Sequence, residues 1–157
     1  MKKYSIFSSI GVGTTKLNSF DDALLGSKVA NYNLVKISSI LPAGSEKSNF
    51  VNLEEGKVLH TAYASITSKE KNVVCSAAIG VAIPVDFTKI GVIMEFSDFC
   101  AKGIAEETVR TMLTEAMFKR NYKIKEIQIA SSEIISDGLN FATAFAGICI
   151  WNENKNL

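Results

Sequence analysis

Residues 73–83 read Val73-Val74-Cys75-Ser76-Ala77-Ala78-Ile79-Gly80-Val81-Ala82-Ile83, a run without any charged side chain. Residues 141–151, from Phe141 to Trp151, are also uncharged and rich in Ala and Gly. A strand that is apolar on both faces has to be covered on both faces. The two runs therefore predict central strands of sheets that lie between other layers of structure.

Five further segments show the β-branched and aromatic content and the period-two patterning that are typical of strands. They are Tyr4–Val12, Asn33–Ile37, Val58–Thr67, Gly91–Phe96 and Ile124–Glu133. Seven strands, against two helices described next, predict a layered α+β domain. Because two strands are apolar on both faces, we expect sheet packed on sheet with the helices outside.

The stronger helix is predicted from about Ile104 to Asn121. Its apolar side chains recur at steps of three and four residues, which is the helical period, at Val109, Met112, Leu113, Ala116 and Met117. On its polar side the spacing predicts two ion pairs four residues apart, Glu106 with Arg110 and Glu115 with Lys119.

A shorter helix is predicted after Asn18-Ser19, since either residue could cap it. Asp21 and Asp22 would then lie in its first turn, and Gly26 near its end. Between these elements there is no repeat, linker or low-complexity tract, and the loosest polar stretch is Ala43–Asn52. A single domain over residues 1–157 is expected.

The composition excludes several classes of protein. With 17 basic and 16 acidic residues, the net charge of +1 offers no general attraction for nucleic acid or an anionic membrane. No apolar run approaches the roughly 20 residues that a membrane span requires. Cys75, Cys100 and Cys149 are widely spaced, which predicts neither a disulfide framework nor a zinc site, but free thiols in a reducing compartment.

The N-terminus has some features of a secretory signal, because Met1-Lys2-Lys3 precedes a mildly apolar stretch. Residues 4–12 nevertheless alternate between apolar and small or polar side chains, a pattern that favours a half-exposed strand. We therefore expect a cytoplasmic protein.

Ordinary catalytic motifs are scarce. His60 is the only histidine, so Ser/His/Asp and Cys/His sites remain formally possible. No nucleophile motif surrounds it, and a structural or solvent-facing role is the expectation. Gly11-Val12-Gly13 lacks the third glycine of a dinucleotide fingerprint and is interpreted as a bend. No local spacing predicts a metal site.

One segment remains, Asn31-Tyr32-Asn33-Leu34-Val35-Lys36-Ile37-Ser38-Ser39-Ile40-Leu41-Pro42. It predicts a strand that ends in paired serines before a proline that has to leave the ladder. Paired serines alone say little, because Ser8-Ser9 and Ser131-Ser132 also occur and a turn is the default interpretation of each.

The segment resembles the Asn-x-Asn-Leu-x-(Arg/Lys)-Ile-Ser-Ser-Ile-(Met/Leu)-Pro segment of the pyruvoyl-dependent arginine decarboxylases. Four more stretches resemble that family in the same order and spacing: Leu17-Asn18-Ser19-Phe20-Asp21-Asp22-Ala23-Leu24-Leu25, Thr61-Ala62-Tyr63, Val81-Ala82-Ile83-Pro84 and Gly91-Val92-Ile93-Met94-Glu95-Phe96. The resemblance spans about Leu17 to Trp151, and on it the chain is identified as a member of the family.

The resemblance implies a proenzyme that cuts itself between Ser38 and Ser39. The Ser39 hydroxyl would attack the Ser38 carbonyl, and the resulting ester would eliminate to dehydroalanine and hydrolyse to a pyruvoyl group. The products would be a β chain, residues 1–38, and an α chain, residues 39–157, that begins with this cofactor. The implied reaction converts L-arginine to agmatine and carbon dioxide through a Schiff base to the pyruvoyl ketone.

Three further site residues are implied by the family's pattern. Asn33 would donate to the oxyanion during cleavage, where a strained backbone is expected. Glu95 would protonate the substrate Cα, and Asp21 would bind the guanidinium. The simpler interpretations are a ladder residue with a solvated amide, a glutamate at a sheet edge facing water, and an acidic residue favoured by the helix dipole.

The sequence departs from the family's pattern at three positions, of which Asp22 bears on substrate choice and the other two are conservative changes. Asp22 stands where a relative can carry glycine, Lys36 replaces a frequent arginine, and Leu41 replaces a methionine. Asp22 keeps open a pyruvoyl decarboxylase of another amino acid. A second alternative, an uncleaved homologue that binds a ligand or serves assembly, stays open because a sequence does not report whether the Ser38-Ser39 backbone is strained enough to react.

The resemblance also implies the fold and the assembly. The fold would be a four-layer αββα sandwich with mostly antiparallel sheets. The assembly would be a homotrimer of cleaved αβ protomers, with each site at a protomer boundary. A role in polyamine synthesis or acid response follows from the family in the same way.

Overall fold

The computed structural model describes residues 1–153. Within them the chain forms nine strands and two helices, and all seven predicted strands are present. The elements are β1 (Lys2–Gly13), α1 (Lys16–Gly26), β2 (Asn33–Lys36), β3 (Ile40–Leu41), β4 (Glu46–Lys47), β5 (Val58–Ser68), β6 (Val74–Pro84), β7 (Gly91–Asp98), α2 (Lys102–Lys119), β8 (Ile124–Ile135) and β9 (Phe141–Asn152). The two-residue strands β3 and β4 were not predicted.

The strands form two sheets. A five-stranded sheet has the order β2-β5-β9-β1-β4, and a four-stranded sheet has the order β3-β7-β6-β8. The long neighbours pair antiparallel, whereas the short β2 and β4 lie parallel to β5 and β1. Strands β9 and β6 each have a long strand on both sides, so the prediction of two central strands is confirmed.

The sheets pack face to face through small side chains. Ala62, Ala144 and Ala146 of the five-stranded sheet belong to one buried cluster with Ala77 and Ile79 of the four-stranded sheet. All of them are fully buried. Because alanine side chains are short, the two backbones come close, and the long segments without charge are explained by this double coverage.

Each sheet carries one helix on its outer face. Helix α1 packs on β1 and β9, and α2 packs on β6, β7 and β8. The four-layer αββα sandwich is therefore confirmed. The predicted bend at Gly11-Val12-Gly13 is wrong, because both glycines lie inside β1. A Cβ on Gly11 would lie 2.2 Å from the backbone nitrogen of Ala23, so glycine here allows α1 to lie directly on the strand.

Helix α1 begins earlier than its pattern indicated. Thr15 is extended and its hydroxyl accepts the Asn18 backbone N–H at 3.1 Å, so Thr15 is the cap and the predicted caps at Asn18 or Ser19 are wrong. Asp21 and Asp22 consequently lie beyond the first turn. The Asp22 carboxylate instead accepts the Val12 backbone N–H at 2.8 Å.

Helix α2 buries the predicted stripe, although Met112 is only half-buried. The predicted pair of Glu115 with Lys119 is confirmed, at 2.5 Å. The other predicted pair is wrong: Glu106 faces β8 and accepts a hydrogen bond from the Ser131 hydroxyl. Arg110 pairs with Glu107 instead, at 3.9 Å. The Ser131 hydroxyl on β8 therefore binds the Glu106 carboxylate, which the helical period alone had assigned to Arg110.

Neither helix of residues 1–153 is long and apolar enough to cross a bilayer. All three cysteines are free thiols; Cys75 and Cys149 are buried, and Cys100 is partly exposed.

Candidate active site

Between Lys36 and Ile40 the chain passes from one sheet to the other. Strand β2 pairs with β5 in the five-stranded sheet, and β3 pairs with β7 in the four-stranded sheet. The intervening residues, Ile37–Ser39, belong to no strand. We call these residues the sheet junction.

Each end of the sheet junction is tied to a different sheet. The Ile37 N–H donates to the carbonyl of Thr61 on β5 at 3.2 Å. The Ser39 carbonyl accepts the N–H of Ile93 on β7 at 2.8 Å. The Ser38–Ser39 peptide therefore lies between these two hydrogen bonds and outside both ladders. Its conformation is not set by strand pairing.

The two serine hydroxyls of the sheet junction are uncommitted. Ser38 is exposed and Ser39 is half-buried. Among residues 1–153 neither hydroxyl has a hydrogen-bond partner from the protein. Within residues 1–153, the non-glycine residues with left-handed backbone are Lys28, Asn72 and Asn121. None of them lies in the sheet junction, so the backbone strain expected there does not take the form of a positive φ.

Glu95 and Lys36 meet beside the sheet junction. Glu95 lies on β7, two residues after Ile93, and so shares its face toward the other sheet. Its Oε1 is 3.7 Å from Lys36 Nζ, and its side chain is 25% exposed, so it is not simply solvated. The same ammonium lies 4.8 Å from the centroid of the Tyr63 ring. Sequence patterns did not predict this pair, because it joins two sheets.

The carboxyl of Glu95 holds its proton more tightly than an ordinary glutamate. Burial disfavours the charged form and raises the pKa of Glu95 above its usual value, and the nearby Lys36 ammonium offsets part of that rise. A carboxyl with a raised pKa is suited to donate a proton near neutral pH.

Asn33 lies at the far end of β2 from the serines. Its Nδ2 donates to the Gly56 carbonyl at 2.7 Å and so holds the turn before β5. It lies five positions before Ser38, which corresponds to roughly 16 Å along a strand. Within one chain the structure therefore does not bring this amide to the Ser38 carbonyl, and its part in cleavage stays a prediction.

Asp21 lies in a different layer. It is exposed on α1, on the outer face of the five-stranded sheet, whereas Glu95 faces the space between the sheets. Within one chain these two carboxylates are separated by a sheet. Asp21 as a guanidinium ligand stays a prediction.

The sheet junction also borders a groove of about 390 Å³. Ser38 lines it together with His60, which is exposed, as the solvent-facing interpretation expected. The parallel pairing of β2 with β5, which sequence patterns did not predict, is what brings His60 there. Residues 1–153 hold no group of three or more His, Cys, Asp or Glu side chains that could bind a metal ion.

Known proteins match almost the whole chain. Residues 3–155 match the family model described as pyruvoyl-dependent arginine decarboxylase. Relatives of that name include the proteins of Pyrococcus abyssi, 42% identical over 135 residues and 85% of each chain, and Thermococcus kodakarensis, 42% identical over 134 residues and again 85% of each. The protein of Methanococcus aeolicus is 37% identical over 147 residues, which are 94% of this chain and 88% of the relative.

Proposed function

The chain belongs to the pyruvoyl-dependent arginine decarboxylase family, and from that premise we propose that Ser39 is the source of its pyruvoyl group. The protein is a carboxy-lyase that acts on arginine with a covalently bound pyruvoyl cofactor. The observation that carries the assignment to Ser39 is the sheet junction, a serine peptide outside both ladders with an uncommitted hydroxyl on the Cβ of Ser39.

The chemistry of self-cleavage requires a hydroxyl at this position. Ser39 Oγ attacks the Ser38 carbonyl carbon, the peptide C–N bond breaks, and an ester with a free amine at residue 39 results. Loss of the Ser39 Cα proton then breaks the Cβ–O bond, and Ser38 departs as a carboxylate. Water replaces the nitrogen of the dehydroalanine as ammonia, which leaves a ketone. Alanine could neither attack nor eliminate.

The fold supports a cut at this place. Strand β1 pairs with β9 from Lys2 to Gly13, and β2 pairs with β5, so the β chain of residues 1–38 stays hydrogen-bonded to the α chain of residues 39–157. The cut would fall where no ladder bond is lost. Maturation is therefore expected to leave the sandwich intact.

A pyruvoyl group supplies a ketone that forms a Schiff base with a substrate amine and accepts the electrons released with carbon dioxide. We assign to Glu95 the proton that the substrate Cα then needs, which gives agmatine. Its raised pKa and its place two residues after the Ile93 amide that binds the Ser39 carbonyl support this role. Lys36 holds the Glu95 carboxylate at the edge of the sheet junction.

Asp21 is proposed to bind the guanidinium from a neighbouring protomer. A carboxylate suits the planar fork of guanidinium donors. Since Asp21 is exposed on the outer layer and a sheet separates it from Glu95 in one chain, both can meet one arginine only if the site lies between protomers. This supports sites at protomer boundaries, and the homotrimer itself is proposed from the resemblance to the family. The three free thiols support a cytoplasmic setting.

Intact-mass spectrometry of the purified protein tests the cleavage. The expected result is two fragments that meet between Ser38 and Ser39, the larger blocked to Edman chemistry and trapped by borohydride when arginine is present. A full-length mass after long incubation would favour the uncleaved homologue.

Carbon dioxide release from arginine, lysine and ornithine tests the substrate. Arginine is expected to be the best of the three. The Asp22 carboxylate, which raised the possibility of another amino acid, already accepts the Val12 N–H. Equal or faster turnover of a substrate without a guanidinium would overturn the choice of arginine.

A further inference from the structure

The groove beside Ser38 is basic and has no acidic residue in its wall. It lies where β1 begins and β9 ends, with Lys2, His60 and Ile150 on the five-stranded side and Ile40 and Pro42 on the other. Apart from Lys2 and His60, every residue that lines the groove has a neutral side chain. A site of this kind, with two basic side chains over an apolar wall, attracts a small anion with an apolar surround.

His60 and Lys2 belong to the same face of the sheet. His60 is paired with Ile150, and Ile150 with Tyr4, and both partners take part in the core between the sheets. Lys2 lies two residues before Tyr4 on β1, so it shares that face. Among residues 1–153 neither Lys2 nor His60 forms an ion pair, whereas the adjacent Lys3 is bound to Glu46 at 2.9 Å.

The sheet junction presents only one side of the scissile peptide to the groove. Ser38 lines the groove and Ser39 does not. The Ser39 carbonyl is held instead by the Ile93 N–H of the four-stranded sheet. The group that cleavage creates on the Ser38 side is a carboxylate, which accepts hydrogen bonds from an ammonium and from an imidazole N–H.

We propose that this groove is a carboxylate site for Ser38, in which Lys2 and His60 bind the carboxylate released by the cleavage proposed above. The site acts at two moments. During elimination it stabilises the negative charge that develops on the departing Ser38 carboxylate as the Cβ–O bond breaks. After maturation it holds the new C-terminus of the β chain against the sandwich.

Maturation kinetics test the first moment. Lys2→Gln, His60→Gln and the double variant are followed by intact mass, with hydroxylamine used to cleave the ester but not the peptide. The double variant is expected to accumulate hydroxylamine-sensitive ester and to mature about tenfold more slowly, as the loss of a charged hydrogen bond implies. The single variant His60→Arg keeps a basic group at this position and should mature at the wild-type rate. Lys125→Gln, which removes an exposed charge on β8, is the matched control.

Carboxypeptidase digestion tests the second moment. In matured protein the mass of the small fragment reports digestion from its Ser38 end alone, because the other C-terminus belongs to the large fragment, and the first step is the removal of Ser38. Removal is expected to be about tenfold faster in the double variant than in the wild type or the Lys125→Gln control. Wild-type rates of maturation and of digestion in the double variant would overturn the carboxylate site while leaving self-cleavage standing.

The remaining outcomes are equally decisive. A double variant that matures and resists digestion normally, but has a raised KM for arginine, would assign the groove to the substrate carboxylate and overturn the proposal. An uncleaved wild type would remove both the carboxylate site and the proposed self-cleavage. Because both side chains are exposed, the variants are expected to fold.

Discussion

Two of the three Ser-Ser pairs in this chain lie inside strands, and the third lies in the sheet junction between β2 and β3. Ser8-Ser9 is part of β1, and Ser131-Ser132 is part of β8. The Ser9 hydroxyl donates to the Ala23 carbonyl at 2.5 Å. The Ser132 hydroxyl donates to the Phe145 carbonyl at 2.9 Å and accepts the Phe145 N–H at 3.0 Å. In both pairs the backbone belongs to a ladder and the hydroxyl of the second serine is already hydrogen-bonded.

The pair at Ser38-Ser39 differs on both counts. It belongs to no ladder, and its hydroxyls have no partner among residues 1–153. We therefore expect the same dipeptide to be inert within a ladder and reactive at the sheet junction. A hydroxyl that already donates to a carbonyl and a peptide pinned in a ladder cannot rearrange without losing those bonds.

The largest effect is expected from removing a single oxygen atom, the hydroxyl of Ser39. Ser39→Ala should abolish fragment formation and reduce arginine decarboxylation to the uncatalysed background, because no nucleophile and no source of the ketone remain. Intact mass and carbon dioxide release measure both. Ser9→Ala is the control, and fragments from Ser39→Ala, or none from Ser9→Ala, would contradict the distinction between the pairs.

A second variant separates cleavage from decarboxylation at the same place. Glu95→Gln should still form both fragments, since the nucleophile is Ser39, but should lower kcat by about 10²–10⁴ because the proton donor is lost. The measurement is fragment yield beside steady-state kinetics. Normal turnover by Glu95→Gln would remove Glu95 from the protonation step.

Lys36 should set the pH range over which Glu95 works. The Lys36 ammonium lowers the pKa of Glu95 against the rise caused by burial. Activity requires protonated Glu95, so it is present below that pKa and is lost as pH rises through it. Lys36→Met should raise the pKa further and move the alkaline limb of the kcat profile to higher pH, whereas Lys36→Arg should leave it in place. A shift to lower pH would contradict the assignment.

The sandwich itself was largely predictable because its signal is local. The uncharged composition of residues 73–83 predicts a strand that is covered on both faces. The helical period of the apolar residues in α2 predicts its buried stripe. Strands β3 and β4 were missed because two residues display no period. The cap at Thr15 was missed because Asn18 and Ser19 are equally good capping residues by type, and only the path of the chain decides among them.

The candidate site was predictable only in part. Resemblance pointed to Ser39 and Glu95, and the structure places them near one another through Ile93. The ion pair of Lys36 with Glu95, and the position of His60 beside Ser38, depend on how two sheets cross. No spacing along the chain encodes such a crossing, because the residues involved lie on separate strands of different sheets.

The smallest expected effect lies in a pair that should not react at all. Ser132→Ala removes a hydroxyl that bonds both the N–H and the carbonyl of Phe145 across the two sheets. Losing these two hydrogen bonds, which add to the ladder pairing of Phe145 with Ser9 and Ser65, should lower the free energy of unfolding by about 1–3 kcal/mol. Urea unfolding in the uncleaved Ser39→Ala protein measures this without interference from fragments. Fragment formation by Ser132→Ala alone should match the wild type, since its hydroxyl serves packing; a slowed cleavage would mean that the distinction between ladder and junction serines is not local.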